Sequence, residues 1–262
     1  MNHWALFRKD KYYLIKYLSA HLLFISLVVL FQYKNLGSDF FSFHFESWML
    51  LSFPIGLIIA VQMPVMIHNC VHRNLRPKWL NFLIGEVVGF YVLLSMAAFE
   101  LNHIMHHSHS DSELDPHKPY KRNFFGFFFA NNFGGTRVVL AKYLKFHGDT
   151  KWNRFLFEAI CVLHFFNVPL RIAFWFFLLG PTWFVVFFVP SYAFHMFVFA
   201  HINYVTHETK DDGSVHLYNL DNNAYYKFVN FFGSGVYYHK NHHKNPGVYN
   251  PKMGPSQSWL FR

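Results

Sequence analysis

The sequence predicts an all-α membrane protein with four transmembrane helices, interfacial amphipathic helices and a cytosolic helical cap that carries histidines. Composition is the first observation, since 53% of the 262 residues are hydrophobic, 22% are aromatic and only 14% are charged. Average soluble domains contain about 25% charged residues. The second observation is a set of long apolar stretches, and the third is a total of 19 histidines. Lipid rather than water must therefore solvate much of this chain.

Four stretches are long and apolar enough to cross about 30 Å of hydrocarbon, which takes about 20 helical residues. The predicted spans are residues 13–31, 48–67, 155–179 and 183–205. The last two are expected to form a hairpin, with Gly180 and Pro181 as its turn. Arg171 and His164 would be costly in lipid, so we expect both side chains to face protein.

Two further apolar stretches, residues 79–99 and 124–146, are expected to be helices that dip into or lie along the membrane interface. The first follows His72 closely, so a crossing there would put neighbouring histidines on opposite sides of the membrane. The second contains a Gly134-Gly135 break and has a basic end. Without internal repeats or linkers, residues 1–262 are expected to form one domain.

The distribution of basic residues predicts the orientation. Lysine and arginine concentrate near the N-terminus, between residues 73 and 78, and between 118 and 154. The only charged residues in the predicted loops 32–47 and 180–182 are Lys34, Asp39 and Glu46. The positive-inside rule therefore places both termini and the middle segment in the cytosol. The same rule accounts for the net charge of +9, so nucleic acid is not expected as a partner.

Histidines recur at helical spacing in four places, two of which lie at the cytosolic ends of the second and fourth predicted spans. Residues three or four apart share one face of a helix. The groups are His68 and His72 ("HNCVH"), His103, His106 and His107 ("HIMHH"), His239, His242 and His243 ("HKNHH"), and Asn203 with His207 ("NYVTH"). Under the predicted topology all four groups converge on one membrane face.

This many histidines suits two metal ions. Neutral imidazole binds Zn, Cu, Fe or Ni, but a catalytic zinc takes about three protein ligands. Nine histidines therefore favour two iron ions with open positions for O₂. Soluble di-iron bundles also use bridging carboxylates, but Glu100 has no second glutamate at matching spacing. The carboxylates available to orient the imidazoles are Glu100, Asp111, Glu113, Asp115 and Glu208.

At these residues the chain resembles the integral-membrane fatty-acid desaturase and hydroxylase superfamily, whose members carry three histidine boxes. "HNCVH", "HIMHH" and "HKNHH" correspond to the boxes in order. The resemblance is closest to acyl-CoA Δ9 desaturases of the stearoyl-CoA type, through "DPH", the Asn203-His207 pair and "GSGVYYHKNHHKNPG". Two features differ. The first box has three intervening residues, as in acyl-lipid desaturases, and Ser234 replaces an acidic residue.

The resemblance implies two irons bound by nine histidines, with Asn203 holding one iron through a water. The implied ligands are His68, His72, His103, His106, His107, His207, His239, His242 and His243. The implied activity is O₂-dependent introduction of a double bond into a fatty-acyl chain carried by CoA, a carrier protein or a lipid. With no donor segment in the sequence, electrons are expected from a separate protein such as ferredoxin or cytochrome b5.

Removing hydrogen from an unactivated alkyl chain needs a cofactor that activates O₂. We expect the spans to enclose a narrow apolar tunnel that reaches the metals. The aromatic runs "FWFFLL" and "WFVVFF" of the last two spans either line this tunnel or face lipid.

Three alternatives remain open at this stage. A hydroxylase, ketolase or other oxidative lipid-modifying enzyme of the same fold would share the site, and only its product would distinguish it. A histidine-rich metal transporter would hold its ligands near mid-bilayer, along a pathway. A bis-histidine haem protein would need facing pairs at mid-depth, and His21, His164 and His195 lack such spacing.

Overall fold

A computed structural model describes residues 13–34, 40–75, 77–119, 122–133, 136–212, 214–247 and 250–252. Most of these residues are helical. The helices are α1 (Tyr13–Lys34), α2 (Ser52–Val71), α3 (Lys78–Val92), α4 (Met96–Ser108), α5 (Phe124–Phe133), α6 (Thr136–His147), α7 (Lys151–Trp183), α8 (Val189–Thr206), α9 (Ala224–Phe232) and α10 (His239–Lys244). A 3-10 turn, Ser47–Leu51, precedes α2, and a π-helical turn, Phe184–Phe188, joins α7 to α8.

Two helical runs in the described residues are long and apolar enough to cross a membrane. They are Ser47–Val71 and Lys151–Thr206. Helices α3 and α4 pass the same test only as a pair, and they meet at 94°. The first predicted span lies in α1, whose described apolar part is the short segment His21–Leu30. The structure thus supports two or three spans by length and composition, whereas the sequence predicts four.

The long run Lys151–Thr206 contains both the third and the fourth predicted spans. The rings of Trp175 and Phe188 stack 5.2 Å apart, although a straight helix would separate these residues by about 20 Å. The chain reverses at Gly180, where φ is 71° and ψ is 164°. This reversal agrees with the turn expected at Gly180 and Pro181. A side chain at Gly180 would also collide with Gln32 of α1.

The helix expected over residues 79–99 is interrupted, which corrects the prediction. Helix α3 ends at Val92, and Leu93 adopts a left-handed conformation with φ of 53°. Helix α4 then begins after Ser95, whose Oγ accepts a hydrogen bond from the N–H of Ala98. A helix cap of this kind stabilises a new start, so the chain turns sharply here. Whether this bent pair lies at an interface stays a prediction.

An ion pair between a buried arginine and a half-buried glutamate supports the bend. Arg171 of α7 is only 3% exposed and donates to Glu86 of α3 at 2.9 Å and to the carbonyl of Leu94 at 3.1 Å. Glu86 in turn accepts from the N–H of Met96 at 2.9 Å. The expectation that Arg171 faces protein is confirmed. The side chain of His164 lies outside the described part of the chain.

Helices α5 and α6 correspond to the stretch 124–146, and they flank Gly134 and Gly135, which lie outside the described residues. Helix α5 packs on α8 through ring contacts of Phe124 with Phe197 and of Phe127 with Tyr204, each with centroids 5.5 Å apart. The position of these helices relative to a membrane stays a prediction.

The mostly helical fold is confirmed, with two short strands as an exception that the sequence did not predict. Strands β1 (His207–Thr209) and β2 (Val215–Leu217) pair antiparallel. The N–H of Lys210 donates to the carbonyl of Ser214 at 2.9 Å, and Asp212 accepts from the N–H of Ser214. Aspartate side chains commonly stabilise turns in this way. The stretch "KDDGS" was therefore a turn signal between two strands.

Helices α2 and α8 form the centre of the described structure. Ser191 of α8 donates to the carbonyl of Gly56 in α2 at 2.6 Å, and both helices continue from this level in the same direction. Their C-terminal ends consequently bring His68 and Asn203 to the same region. Helix α7 carries exposed apolar side chains, including Leu163, Phe165 and Leu170, which lipid would solvate better than water.

Candidate metal centre

Nine histidines come together in two adjacent groups. The five-histidine group consists of His68, His72, His103, His107 and His242, and the four-histidine group consists of His106, His207, His239 and His243. In each group, one ring nitrogen from every member lies within 4.8 Å of the others. All nine are the residues singled out from the sequence.

The second and third boxes each serve both groups. His106 and His107 follow one another on α4, so their side chains diverge by about 100° and enter different groups. In the third box, His242 joins the five-histidine group, whereas His239 and His243 join the four-histidine group. The spacing HxxHH therefore does more than place three imidazoles on one face, because it divides them between two neighbouring centres.

The five-histidine group has its ring nitrogens in close contact. The Nε2 atom of His242 lies 3.0 Å from that of His68 and 2.8 Å from that of His107, and the Nε2 atoms of His72 and His103 are 2.8 Å apart. A neutral imidazole has only one N–H to donate, so a shared ion suits these contacts better than hydrogen bonds. These five residues would therefore be able to hold a metal ion through their ring nitrogens.

The four-histidine group repeats this geometry. The Nε2 atom of His239 lies 2.9 Å from that of His207 and 3.0 Å from that of His243. His106 is 1% exposed, and its Nε2 atom is buried without a hydrogen-bond partner. A buried acceptor without a partner destabilises a fold, and a metal ion would satisfy it. The residues present therefore fit a metal ion in this group as well.

His207 reaches its group by a route that the sequence did not predict. Helix α8 ends at Thr206, and His207 is extended, with φ of −114° and ψ of 131°, as the first residue of β1. The expectation that Asn203 and His207 share a helix face is therefore wrong. A spacing of four residues cannot distinguish a continuous helix from a helix that ends before His207. The turn signal in "KDDGS" was the sequence feature that indicated a strand.

Two aspartates orient one imidazole each. The Nδ1 atom of His207 lies 2.7 Å from Asp111, and the Nδ1 atom of His106 lies 3.0 Å from Asp115. A carboxylate that accepts from Nδ1 fixes the tautomer and leaves the Nε2 lone pair available to a metal. Asp115 also accepts from the backbone N–H groups of Asp111 and His117, which ties the loop after α4 to the same carboxylate.

The other three candidate carboxylates have different partners. Glu100 pairs with Arg73 at 2.5 Å and Glu113 with Lys118 at 2.6 Å. Glu208 accepts from the hydroxyl of Tyr218. A contact that the sequence did not indicate is that of the His243 Nδ1 atom with the Ser110 hydroxyl at 3.2 Å. Nothing in the spacing of these residues would have revealed it.

The site keeps its imidazoles neutral. Burial lowers the pKa of His72 to about 3 and that of His243 to about 2, with a further decrease from neighbouring histidines. Burial likewise holds the pKa of His239 and His242 well below the usual value of 6.5. Neutral imidazole is the form that binds a metal. Burial raises the pKa of Asp115 to about 7, although two backbone N–H groups oppose the increase.

A mostly apolar cavity adjoins both groups. Its wall includes His68, His103, His242 and His239, together with Asn203. Asn203 is 4% exposed, and its amide donates to the carbonyl of Phe199 at 3.0 Å. Asn203 thus lies beside the metal-binding candidates.

The aromatic runs of α7 and of the π-helical turn do not line this cavity. The aromatic wall residues other than histidine are Phe99 and Phe199, and aliphatic residues of α2 and α8 also line the cavity. Among those runs, Trp175, Phe187 and Phe188 pack instead in the core. If this cavity is the predicted tunnel, the prediction that the two aromatic runs line it is wrong.

Comparison with known proteins gives one match. A family model described as fatty acid desaturase matches residues 46–255. This range includes all nine histidines, Asn203, Asp111 and Asp115. No curated protein and no solved structure matches the chain.

Proposed function

Because the chain belongs to the fatty acid desaturase family, we propose that it is a membrane di-iron enzyme that introduces a double bond into a lipid acyl chain. The family implies an oxidoreductase that modifies lipids, and the iron and the reaction are the proposed part. The observation that carries the proposal is the division of nine buried or half-buried histidines into adjacent groups of five and four.

The chemistry of the donors favours iron. One zinc ion takes four ligands in a closed structural site and about three in a catalytic one, so a pair of zinc ions would leave some of these imidazoles unused. Two bound iron ions would supply the activation of O₂ that oxidation of an unactivated alkyl chain requires. The five-histidine group would hold one ion and the four-histidine group the other, with Asn203 contacting an ion through water.

The cavity would hold the acyl chain. Val61, Val65, Val198 and Ile202 present apolar side chains from α2 and α8, which favours an alkyl chain over water. His68, His103, His239 and His242 form part of the same wall, so a chain in the cavity would lie against both histidine groups. The wall would fix the position of the chain and exclude water, while Asp111 and Asp115 hold His207 and His106 in the tautomer that faces a metal.

The partners and the location are further parts of the proposal. The acyl chain would be attached to CoA, a carrier protein or a lipid. The resemblance to stearoyl-CoA-type Δ9 desaturases favours CoA. Electrons would come from a separate donor such as ferredoxin or cytochrome b5. The apolar helices and the family suggest membrane association, and the charge distribution supports a cytosolic metal site and cytosolic termini.

A metal transporter is the less favoured function. The histidines gather at the C-terminal ends of α2 and α8 and in the segments that follow, beside a cavity with mostly apolar walls. A transport pathway would instead place polar ligands along its length.

The test combines metal analysis with lipid analysis. The full chain would be expressed in iron-supplemented cells and purified in detergent, with metal content, Mössbauer spectra and the lipids of the expressing cells measured together. About two nitrogen-ligated irons per chain and a new unsaturated acyl species would support the proposal. The same irons with a hydroxylated or keto product would assign a different reaction to the site. One zinc or no metal, with unaltered lipids, would refute the proposal.

A further inference from the structure

His195 is a buried histidine that belongs to neither metal-binding candidate group. It lies on α8, is 8% exposed, and forms part of the cavity wall. Its Nδ1 atom is buried without a hydrogen-bond partner. The neighbouring rings are those of Tyr192 and Phe199, with centroids 5.8 and 6.3 Å away. The cavity thus contains a buried polar atom that lies outside both histidine groups.

The position of His195 follows from the direction of two helices. Helices α2 and α8 run in parallel from the Gly56–Ser191 contact toward the metal centre. His195, Phe199 and Asn203 lie four residues apart on α8, and all three line the cavity. Eight residues of helix rise about 12 Å. His195 therefore lies about 12 Å from Asn203, at the end of the cavity away from the metal centre.

An unpartnered ring nitrogen in such a place is unfavourable unless something binds to it. A buried polar group without a hydrogen bond destabilises a fold. A trapped water would need about two to four polar partners, whereas most wall residues outside the two histidine groups, including Val198 and Val61, are apolar. A polar atom of a ligand that fills the cavity is a better partner, because the rest of that ligand would contact the apolar wall.

We propose that the substrate carries an uncharged oxygen, as a hydroxyl or a carbonyl, that hydrogen-bonds to His195 at the end of the cavity remote from the metal centre. A hydroxyl suits either tautomer of His195, because it can donate or accept. A carboxylate is excluded by the apolar surroundings, since a buried charge without a counter-charge is costly. This inference rests on the proposed function and deepens it, because it names the substrate class as chains oxygenated near their far end.

The test measures binding without turnover. The probes are dodecanoic and palmitic acids, each compared with its ω-hydroxy derivative, and affinities are measured on full-length iron-loaded protein in detergent without O₂. We expect the ω-hydroxy form of at least one acid to bind about tenfold more tightly, which is the contribution of one buried hydrogen bond. His195→Leu should abolish this preference, so that the plain acid and its ω-hydroxy derivative bind the variant with equal affinity. His195→Asn, which keeps a donor and an acceptor, should retain part of it.

Other outcomes overturn the inference. Equal affinities within both pairs for the wild-type protein would do so, as would a preference that survives in His195→Leu. His195→Phe replaces the leucine variant if that protein does not fold. Failure of the proposed function is distinguishable, because it appears in iron content and cellular lipids. An iron-loaded protein that produces unsaturated lipid without any preference for the ω-hydroxy probes refutes the inference alone.

Discussion

Asp115 and His106 form a buried pair in which Nδ1 of the imidazole lies 3.0 Å from the carboxylate while its Nε2 atom has no partner. The carboxylate therefore determines which nitrogen faces the four-histidine group. We expect Asp115→Asn to lower the affinity for a metal in that group by about 10- to 100-fold, because an amide can donate to Nδ1 and favour the wrong tautomer.

Metal affinity in this variant is measured by competition with a chelator. Glu113→Gln is the matched control, since Glu113 lies in the same loop but pairs with Lys118. If both variants bind metal as tightly as the wild-type protein, Asp115 has no orienting role.

Removal of a single imidazole should affect the metal content directly. We expect His106→Ala and His242→Ala to abolish turnover and to reduce bound iron, while insertion into the membrane is unchanged. The two residues belong to different groups, so Mössbauer spectra should show the loss of different iron sites. His109→Ala is the control, because His109 follows the second box but is in neither group. Full activity of either variant would remove that residue from the ligands.

The hairpin turn at Gly180 should tolerate no side chain. Its φ of 71° and ψ of 164° belong to a region that is accessible almost only to glycine, and a Cβ atom would meet Gln32. We expect Gly180→Ala to lower the free energy of unfolding by about 1–3 kcal/mol, measured by thermal unfolding in detergent. Adding Gln32→Ala should recover only the part of this loss that comes from the contact between the new Cβ atom and Gln32. Full recovery in the double variant would show that the backbone conformation is not strained.

The ion pair between Arg171 and Glu86 offers a test of the bend between α3 and α4. Arg171→Met removes the counter-charge of the half-buried Glu86, which keeps its bond from the N–H of Met96, and a donor to the carbonyl of Leu94, so we expect a loss of about 1–3 kcal/mol in stability. The double variant Arg171→Met/Glu86→Gln should lose less, because no half-buried carboxylate remains without a counter-charge. Unfolding of the single and double variants in detergent measures the difference. Equal losses would show that the pairing itself contributes nothing.

The sequence predicted which histidines come together better than how they are arranged. A spacing of three or four residues selected the nine histidines, although His207 lies in an extended segment and not on a helix face. It could not show that His106 and His107 enter different groups, since that depends on where the third box packs. Nor could it choose among five carboxylates, because pairing of Asp111 with His207 joins segments 96 residues apart.

The fold shows the same limit. Apolar length predicted α2 and the α7–α8 hairpin, and the glycine at the turn marked the reversal. It did not reveal the break after Val92, because Leu93 gives no local signal for a left-handed conformation and the bend depends on contacts with Arg171. Apolar length also did not predict β1, because this short strand is stabilised by pairing with β2 rather than by its own residues.

The buried imidazoles should make the metal-free protein sensitive to acid. The pKa of His72 falls to about 3 and that of His243 to about 2, and those of His239 and His242 lie well below 6.5. Below pH 6.5 the unfolded chain therefore binds protons that the folded chain does not, so stability decreases as pH falls from about 6.5 toward about 3. The raised pKa of Asp115, about 7, instead increases stability as pH falls. This single group opposes four histidines, so the net effect is a loss of stability.

We therefore expect chelator-treated protein to unfold at a lower temperature at pH 5 than at pH 7. Each buried imidazole contributes up to about 1.4 kcal/mol per pH unit in this range. Thermal unfolding in detergent at the two pH values measures the effect, and His243→Asn should reduce it because one such group is removed. His147→Asn is the control, since His147 is exposed. An unfolding temperature independent of pH would contradict neutral imidazoles in the metal-free site.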